Sequence, residues 1–175
     1  MMFLPLLRRS FAEKLIYRVC EREADQTIGD PHQPYLYRWW LIPRNRWFNI
    51  YLHHFCRSDD DRALHDHPWW NLSWLIEGEY DEVVPVKCLG PALSAESNLH
   101  GVVRRRPGAV VLRRAKSAHR VALVRDSLGY EKACWTLFLT GPRVRDWGFW
   151  CPNGWRHWHE FTDPEDSGKV GPGCD

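Results

Sequence analysis

An all-β domain with one helix near its N-terminal end is the fold class this sequence predicts, and three observations predict it. Eleven of the 175 residues are tryptophan, and large flat side chains pack well on pleated sheets. From Asp30 onward helical periodicity disappears, and short runs of β-branched and aromatic residues alternate with turn residues at fairly even intervals. Only the stretch from Ser10 to about Ala24 reads as helix. There Ser10 and Glu13 are spaced as a capping box, and Phe11, Leu15, Ile16 and Val19 share one face.

The elements follow in order. The helix belongs to an N-terminal extension over 1–29 and is expected to pack on the sheet scaffold or on a partner subunit, because Glu13, Glu21 and Glu23 dilute any basic membrane-seeking face. Strands are expected over 35–42, 48–55, 71–76, 79–86, 110–112, 119–124 and 134–140, with Glu77-Gly78 as a tight turn. Residues 91–100 and 126–132 read as loops. Residues 162–175 read as a flexible tail, holding Pro164, Gly168, Gly171, Pro172 and Gly173 with almost nothing apolar. There is no internal repeat, and 175 residues suit a single domain over 1–175, of roughly 100–200 residues as domains usually run. Most of the tryptophans are expected in the core or at an oligomer interface, leaving one or two to line a pocket.

Charge and cysteine usage exclude several classes. With 24 basic and 22 acidic side chains the formal net charge is +2, which argues for neither nucleic acid nor an acidic membrane surface. The clusters Arg104-Arg105-Arg106 and Arg113-Arg114 offer a phosphate-binding stripe, but the first adjoins the turn Pro107-Gly108, and a solvated hairpin end explains it. The six cysteines, at 20, 56, 88, 134, 151 and 174, form no CxxC pair, so a zinc ribbon is excluded. The apolar opening of residues 1–7 ends at Arg8-Arg9, too short for a signal core or a membrane span. Reduced thiols in a cytoplasmic protein are expected. Glycine patterns for phosphate or dinucleotide binding and a nucleophile elbow are absent, which removes phosphoryl transfer and serine hydrolysis.

The chemistry is concentrated in His65-Asp66-His67-Pro68, followed by Asn71 and Gly78. In a strand, residues i and i+2 share a face, so two imidazoles can converge on one ion, and Asn71 continues the parity. A third nitrogen must come from elsewhere in the chain. His53 and His54 are adjacent on an expected strand and face opposite sides, so only one reaches an interior. His54 is the candidate substrate contact, together with Arg62, Ser73 and Arg120. His157 and His159 form another HxH pair without a strand pattern around them, and a surface role is expected there.

These residues resemble the cupins, whose small barrels carry two short motifs. The first runs HxH, three or four residues, Glu, six residues, Gly. Here His65, His67, Asn71 and Gly78 stand at those places, with Asn71 replacing the Glu. In the second, Gly108 leads by the right count to Arg114, Lys116 and His119, and Gly108 and His119 match. The resemblance covers about 48–140. It implies a double-stranded β-helix (jelly-roll) barrel in which His65, His67 and His119, with Asn71 at the carboxylate's place, hold a divalent metal: Fe, Mn, Ni or Zn. It implies dioxygenase-like or isomerase-like action on a small molecule, and a homodimer paired through barrel edges, which the segment 147–158 is expected to cover. Two rival readings remain: a non-catalytic small-ligand or sugar-binding cupin, and a metal-free epimerase in which Asp66 orients His65 or His119 as general base.

Overall fold

A computed structural model describes residues 3–59, 63–85, 100–163, 165 and 171–175, with only the backbone described for 3–9. Helix α1 (Phe3–Val19) leads into strands β1 (Gln26–Asp30), β2 (Gln33–Trp40) and β3 (Asn49–Phe55). Then come β4 (Leu64–His65), β5 (Asn71–Glu77), β6 (Tyr80–Pro85), β7 (His100–Arg105) and β8 (Val110–Arg113). The chain ends with β9 (Arg120–Leu123), β10 (Cys134–Thr140), β11 (Gly148–Cys151), β12 (Gly154–His157) and the short helix α2 (Trp158–Phe161).

One sheet runs β1-β2-β3-β10-β5-β8. The second is built from β7-β6-β9 and β4-β11-β12, joined by an antiparallel bridge between His65 and His119. The eight strands β3 to β10 thus alternate between two antiparallel sheets, β3-β10-β5-β8 against β4-β9-β6-β7, and the β6–β7 hairpin stays within one of them. This is the jelly-roll arrangement, the double-stranded β-helix.

Side-chain alternation sorts the barrel into inside and outside. The outward residues Trp39, Leu52, Ile76 and Leu137 form a buried layer against Ala12, Leu15, Ile16 and Val19 of α1. Leu75, Tyr80, Val121, Leu123 and Cys134 fill the apolar part of the barrel. Between β5 and β6, Gly78 has φ +78°, and a Cβ there would stand 2.7 Å from both the Ala133 carbonyl oxygen and the Cys134 Cβ, which accounts for glycine at that motif position.

The structure corrects several expectations. Helix α1 starts at Phe3, so Ser10 lies inside it and is no cap. Pro5 is tolerated because the first four N–H groups of a helix have no intrahelical partner. The 1–29 extension already contains most of β1, which pairs with β2. The expected flexible tail is tied down at its end: Cys174 is disulfide-bonded to Cys151, and Gly173 N donates to the Phe161 carbonyl at 3.0 Å. That bond also overturns the expectation that all thiols are reduced, although Cys20, Cys56 and Cys134 are free. The segment around Trp147–Trp158 forms the β11–β12 hairpin, and it covers the edge of β4 in its own chain. Of the tryptophans Trp39 is buried, Trp74, Trp135, Trp147 and Trp158 pack half-buried against the core clusters, and Trp47, Trp70, Trp150 and Trp155 are exposed. Residues 91–99, Asp60, Asp61, Arg62 and Cys88 lie outside the described residues.

Candidate metal centre

His65 closes β4, and its backbone exchanges two 2.9 Å hydrogen bonds with that of His119. Residues distant in sequence are therefore direct cross-strand partners. His67 follows two positions later, its N–H donating to the Ala115 carbonyl at 3.0 Å. One ring nitrogen from each of His65, His67 and His119 comes within 4.8 Å of the others, the one such group of three potential ligands among the described residues. The Nε2 atoms of His67 and His119 stand 2.9 Å apart. Two nitrogens bound at about 2.1 Å to one ion and at right angles would be separated by about 3 Å, so this pair is already at ligand spacing.

Charge and burial suit cation binding. Burial holds the His67 imidazole well below its ordinary pKa, helped by the charges of His65 and His119. Burial likewise pulls His119 down to about 4, against the opposing pull of Glu82. Both rings are neutral at neutral pH, with lone pairs available. Behind them stand two carboxylates. Glu82 Oε1 lies 3.3 Å from His119 Nδ1, and Asp59 Oδ2 lies 3.7 Å from His65 Nδ1. A carboxylate at the far nitrogen of an imidazole fixes ring orientation and raises ligand basicity, and Glu82 is placed to do so for His119; Asp59 accepts instead from the Val121 N–H at 2.6 Å and from the Tyr35 hydroxyl.

Glu82 is the residue that sequence reasoning missed. It is 1% exposed and held by Arg113 and by Arg105, whose Nε donates to Oε2 at 2.7 Å. Those guanidiniums, together with the hydrogen bond from His119, lower its pKa against the opposing effect of burial. The alternation of Tyr80, Glu82 and Val84 along an expected strand was the available signal, since it puts an acid on the buried face.

The remaining candidates separate. Asn71 is fully buried on the inner face, but its Oδ1 accepts from Arg113 Nη1 at 3.3 Å and its unpartnered atom is Nδ2, a donor. An amide placed this way is a poor cation ligand. Ser73 is buried on the same face and hydrogen-bonds Tyr80. His54 points outward and stacks on Trp135 at 4.0 Å; it is His53 that enters the barrel, because its strand parity matches Tyr51 and Phe55. Arg120 follows His119 in β9, so alternation directs it to the opposite face from the histidines. Asp66 is 0% exposed and turned away from both neighbouring histidines. It accepts from Gly148 N (3.0 Å), Trp150 Nε1 (3.2 Å) and Trp155 Nε1 (3.1 Å), and pairs with Arg145. It anchors the β11–β12 hairpin and orients no imidazole. The Arg104 guanidinium pairs with Asp81 and Glu79, and Arg106 lies 3.9 Å from Glu79, which leaves no basic stripe.

Aromatic rings frame the triad. Trp69 stacks on His67 at 5.0 Å, Phe138 stands 6.1 Å from His67, and Trp147 lies edge-on to His65 at 6.4 Å.

Strand order and the position of the triad decide the fold type. The barrel is a double-stranded β-helix. No protein-family model matches the sequence, and neither does any curated protein. Among solved structures, the DMSP lyase DddQ of Ruegeria pomeroyi is similar at 15% identity and a TM-score of 0.46, over 67% of this chain and 52% of that one. A cupin superfamily protein of Desulfitobacterium hafniense is similar at 12% identity and TM-score 0.42, over 69% and 82%. A protein with a double-stranded beta-helix domain from Klebsiella pneumoniae is similar at 14% identity and TM-score 0.44, over 70% and 90%. Among the described residues no helix is long and apolar enough to cross a membrane.

Proposed function

We propose that this cupin-type barrel binds one divalent metal through His65, His67 and His119 and acts on a small molecule at the barrel mouth. The convergence of three imidazole nitrogens within 4.8 Å carries this reading. The identity among Fe, Mn, Ni and Zn is left to measurement, since neutral imidazoles suit all four. A divalent metal held by these three residues would supply Lewis acidity or redox chemistry, which fits isomerase-like or dioxygenase-like action. The chain's own contribution is positional: Glu82 steadies the His119 ring, and Trp69, Phe138 and Trp147 frame the triad.

A homodimer is the proposed assembly, through the outer strands β7 and β8, where Val102, Val103, Val110 and Leu112 are exposed. A cytoplasmic setting is proposed from the free Cys20, Cys56 and Cys134, with the Cys151–Cys174 disulfide as the exception. The deciding experiment is plasma mass spectrometry on protein purified without a metal-binding tag. About one metal per chain is expected. No uptake after incubation with Fe, Mn, Ni and Zn would turn the reading to a ligand-binding module.

A further inference from the structure

Inside the barrel, next to the triad, a cation and several buried polar groups are left without the partners such groups normally have. Arg38 of β2 lies opposite His53 of β3, both on the inner face. Its Nε donates to His53 Nε2 at 2.9 Å, its Nη1 to Gln26 at 3.2 Å, and its guanidinium carbon stands 5.0 Å from the centre of the Tyr51 ring. Among the described residues no carboxylate pairs with it. Arg113, Arg105 and Arg145 each have one: Glu82 for the first two and Asp66 for the third. Arg38 is half-buried, and a cation partly withdrawn from water without a counter-charge is costly, so its retention beside a site calls for an anion.

The tautomer of His53 follows from that contact. Because Nε2 accepts from Arg38, Nδ1 of the neutral ring carries the proton. His53 is 2% exposed, and Nδ1 is a buried donor with no hydrogen-bond partner among the described residues. Thr136, directly across from His53 on β10, and Thr140 further along the same inner face have buried hydroxyls without partners. The free atom of Asn71, Nδ2, is a donor as well. This wall is therefore rich in donors and built to meet oxygen atoms. Phe138 connects it to the triad, with its ring 4.9 Å from His53 and 6.1 Å from His67.

We propose that Arg38 and His53 form the anion-recognising end of the substrate site, and that the barrel selects a small molecule bearing a carboxylate. The carboxylate oxygens accept from the Arg38 guanidinium and from His53 Nδ1–H, and the rest of the molecule passes Phe138 to reach the three histidines. A planar guanidinium matches a carboxylate in shape as well as charge. The proposal rests on the reading of the barrel as a small-molecule metal site, and its test separates the two.

Succinate, the neutral isostere succinamide and inorganic phosphate are titrated calorimetrically into the full chain, metal-loaded and metal-stripped. Succinate is expected to bind both forms, and succinamide at least about tenfold more weakly, the scale of a lost charge-assisted hydrogen bond. Arg38→Gln is expected to weaken succinate at least about tenfold while metal content stays unchanged, and Arg38→Lys to recover part of the loss and to serve in its place if the glutamine variant unfolds. His53→Gln is expected to weaken it severalfold. Succinate affinity unmoved by Arg38→Gln, equal affinity for succinamide, preference for phosphate, or no succinate binding by folded wild-type protein would each overturn the proposal. Absence of metal alongside Arg38-dependent succinate binding would instead overturn the metal reading alone.

Discussion

Two His-x-His segments occur in this chain, and the fold uses them in opposite ways. In His65-Asp66-His67 the imidazoles turn inward to meet His119, and the fully buried Asp66 turns outward to hold the β11–β12 hairpin. In His157-Trp158-His159 the pattern straddles the end of β12 and the start of α2. His157 Nδ1 accepts from the His159 N–H at 3.3 Å, the two rings stack at 5.4 Å, and Trp158 lies flat on Trp147 at 5.9 Å. The local spelling is the same. What differs is the third strand: β9 delivers His119 beside the first pair, and among the described residues nothing comparable completes the second.

The strongest way to break the comparison is to remove each pair in turn. Replacing His65 and His67 by alanine is expected to lower metal content from about one per chain to none with the barrel still folded, whereas His157→Ala/His159→Ala leaves it unchanged. Equal loss in both variants, read by plasma mass spectrometry, would refute the distinction. Next in size is the support behind the inner site. Glu82→Ala leaves Arg113 buried without its partner and is expected to cost about 3–5 kcal/mol in urea unfolding, and to weaken metal affinity by freeing the His119 ring. A cost below about 1 kcal/mol would mean the ion pair is not buried in solution.

Acidity sharpens the contrast further. His119 has a folded pKa of about 4 against an ordinary 6.5, so below 6.5 the unfolded chain binds the extra proton. Its contribution to stability is whole above pH 6.5 and is lost as pH falls toward about 4, on the order of 3 kcal/mol for metal-free protein. His119→Gln is expected to lessen the fall of the unfolding midpoint across that window, the buried His53 and His67 retaining part of it, and an unchanged slope would count against a buried neutral ring. Reducing Cys151–Cys174 is expected to cost about 2–4 kcal/mol, seen as a lower unfolding midpoint, with metal content untouched. Smallest is His157→Ala, which removes the acceptor at the start of α2 and is expected to cost no more than about 1 kcal/mol.

Much of the barrel was legible in the chain because alternation and turn residues act locally. The strand expected over 134–140 matches β10, and that over 71–76 matches β5 to one residue. Strands β1, β4, β7, β11 and β12 were not expected; β4 is only two residues long, and the β11–β12 hairpin is held by β4 and by the bonds of Trp150 and Trp155 to Asp66, all far away in sequence. The helix begins ahead of the Ser10–Glu13 pair because the turns before it are equally able to be helical.

The sequence by itself determined the all-β class, the glycine turn at Gly78 and the three histidines at matching motif positions, since each follows from residue type and spacing. Only the tertiary structure decided that His53 and not His54 enters the barrel, that Asp66 serves the hairpin, that Glu82 stands behind His119, and that Arg38 meets no carboxylate among the described residues. The physical reason is common to all four. Spacing says which side chains share a face, but which face is buried, and which charges meet across it, is set by the pairing of strands distant in the chain.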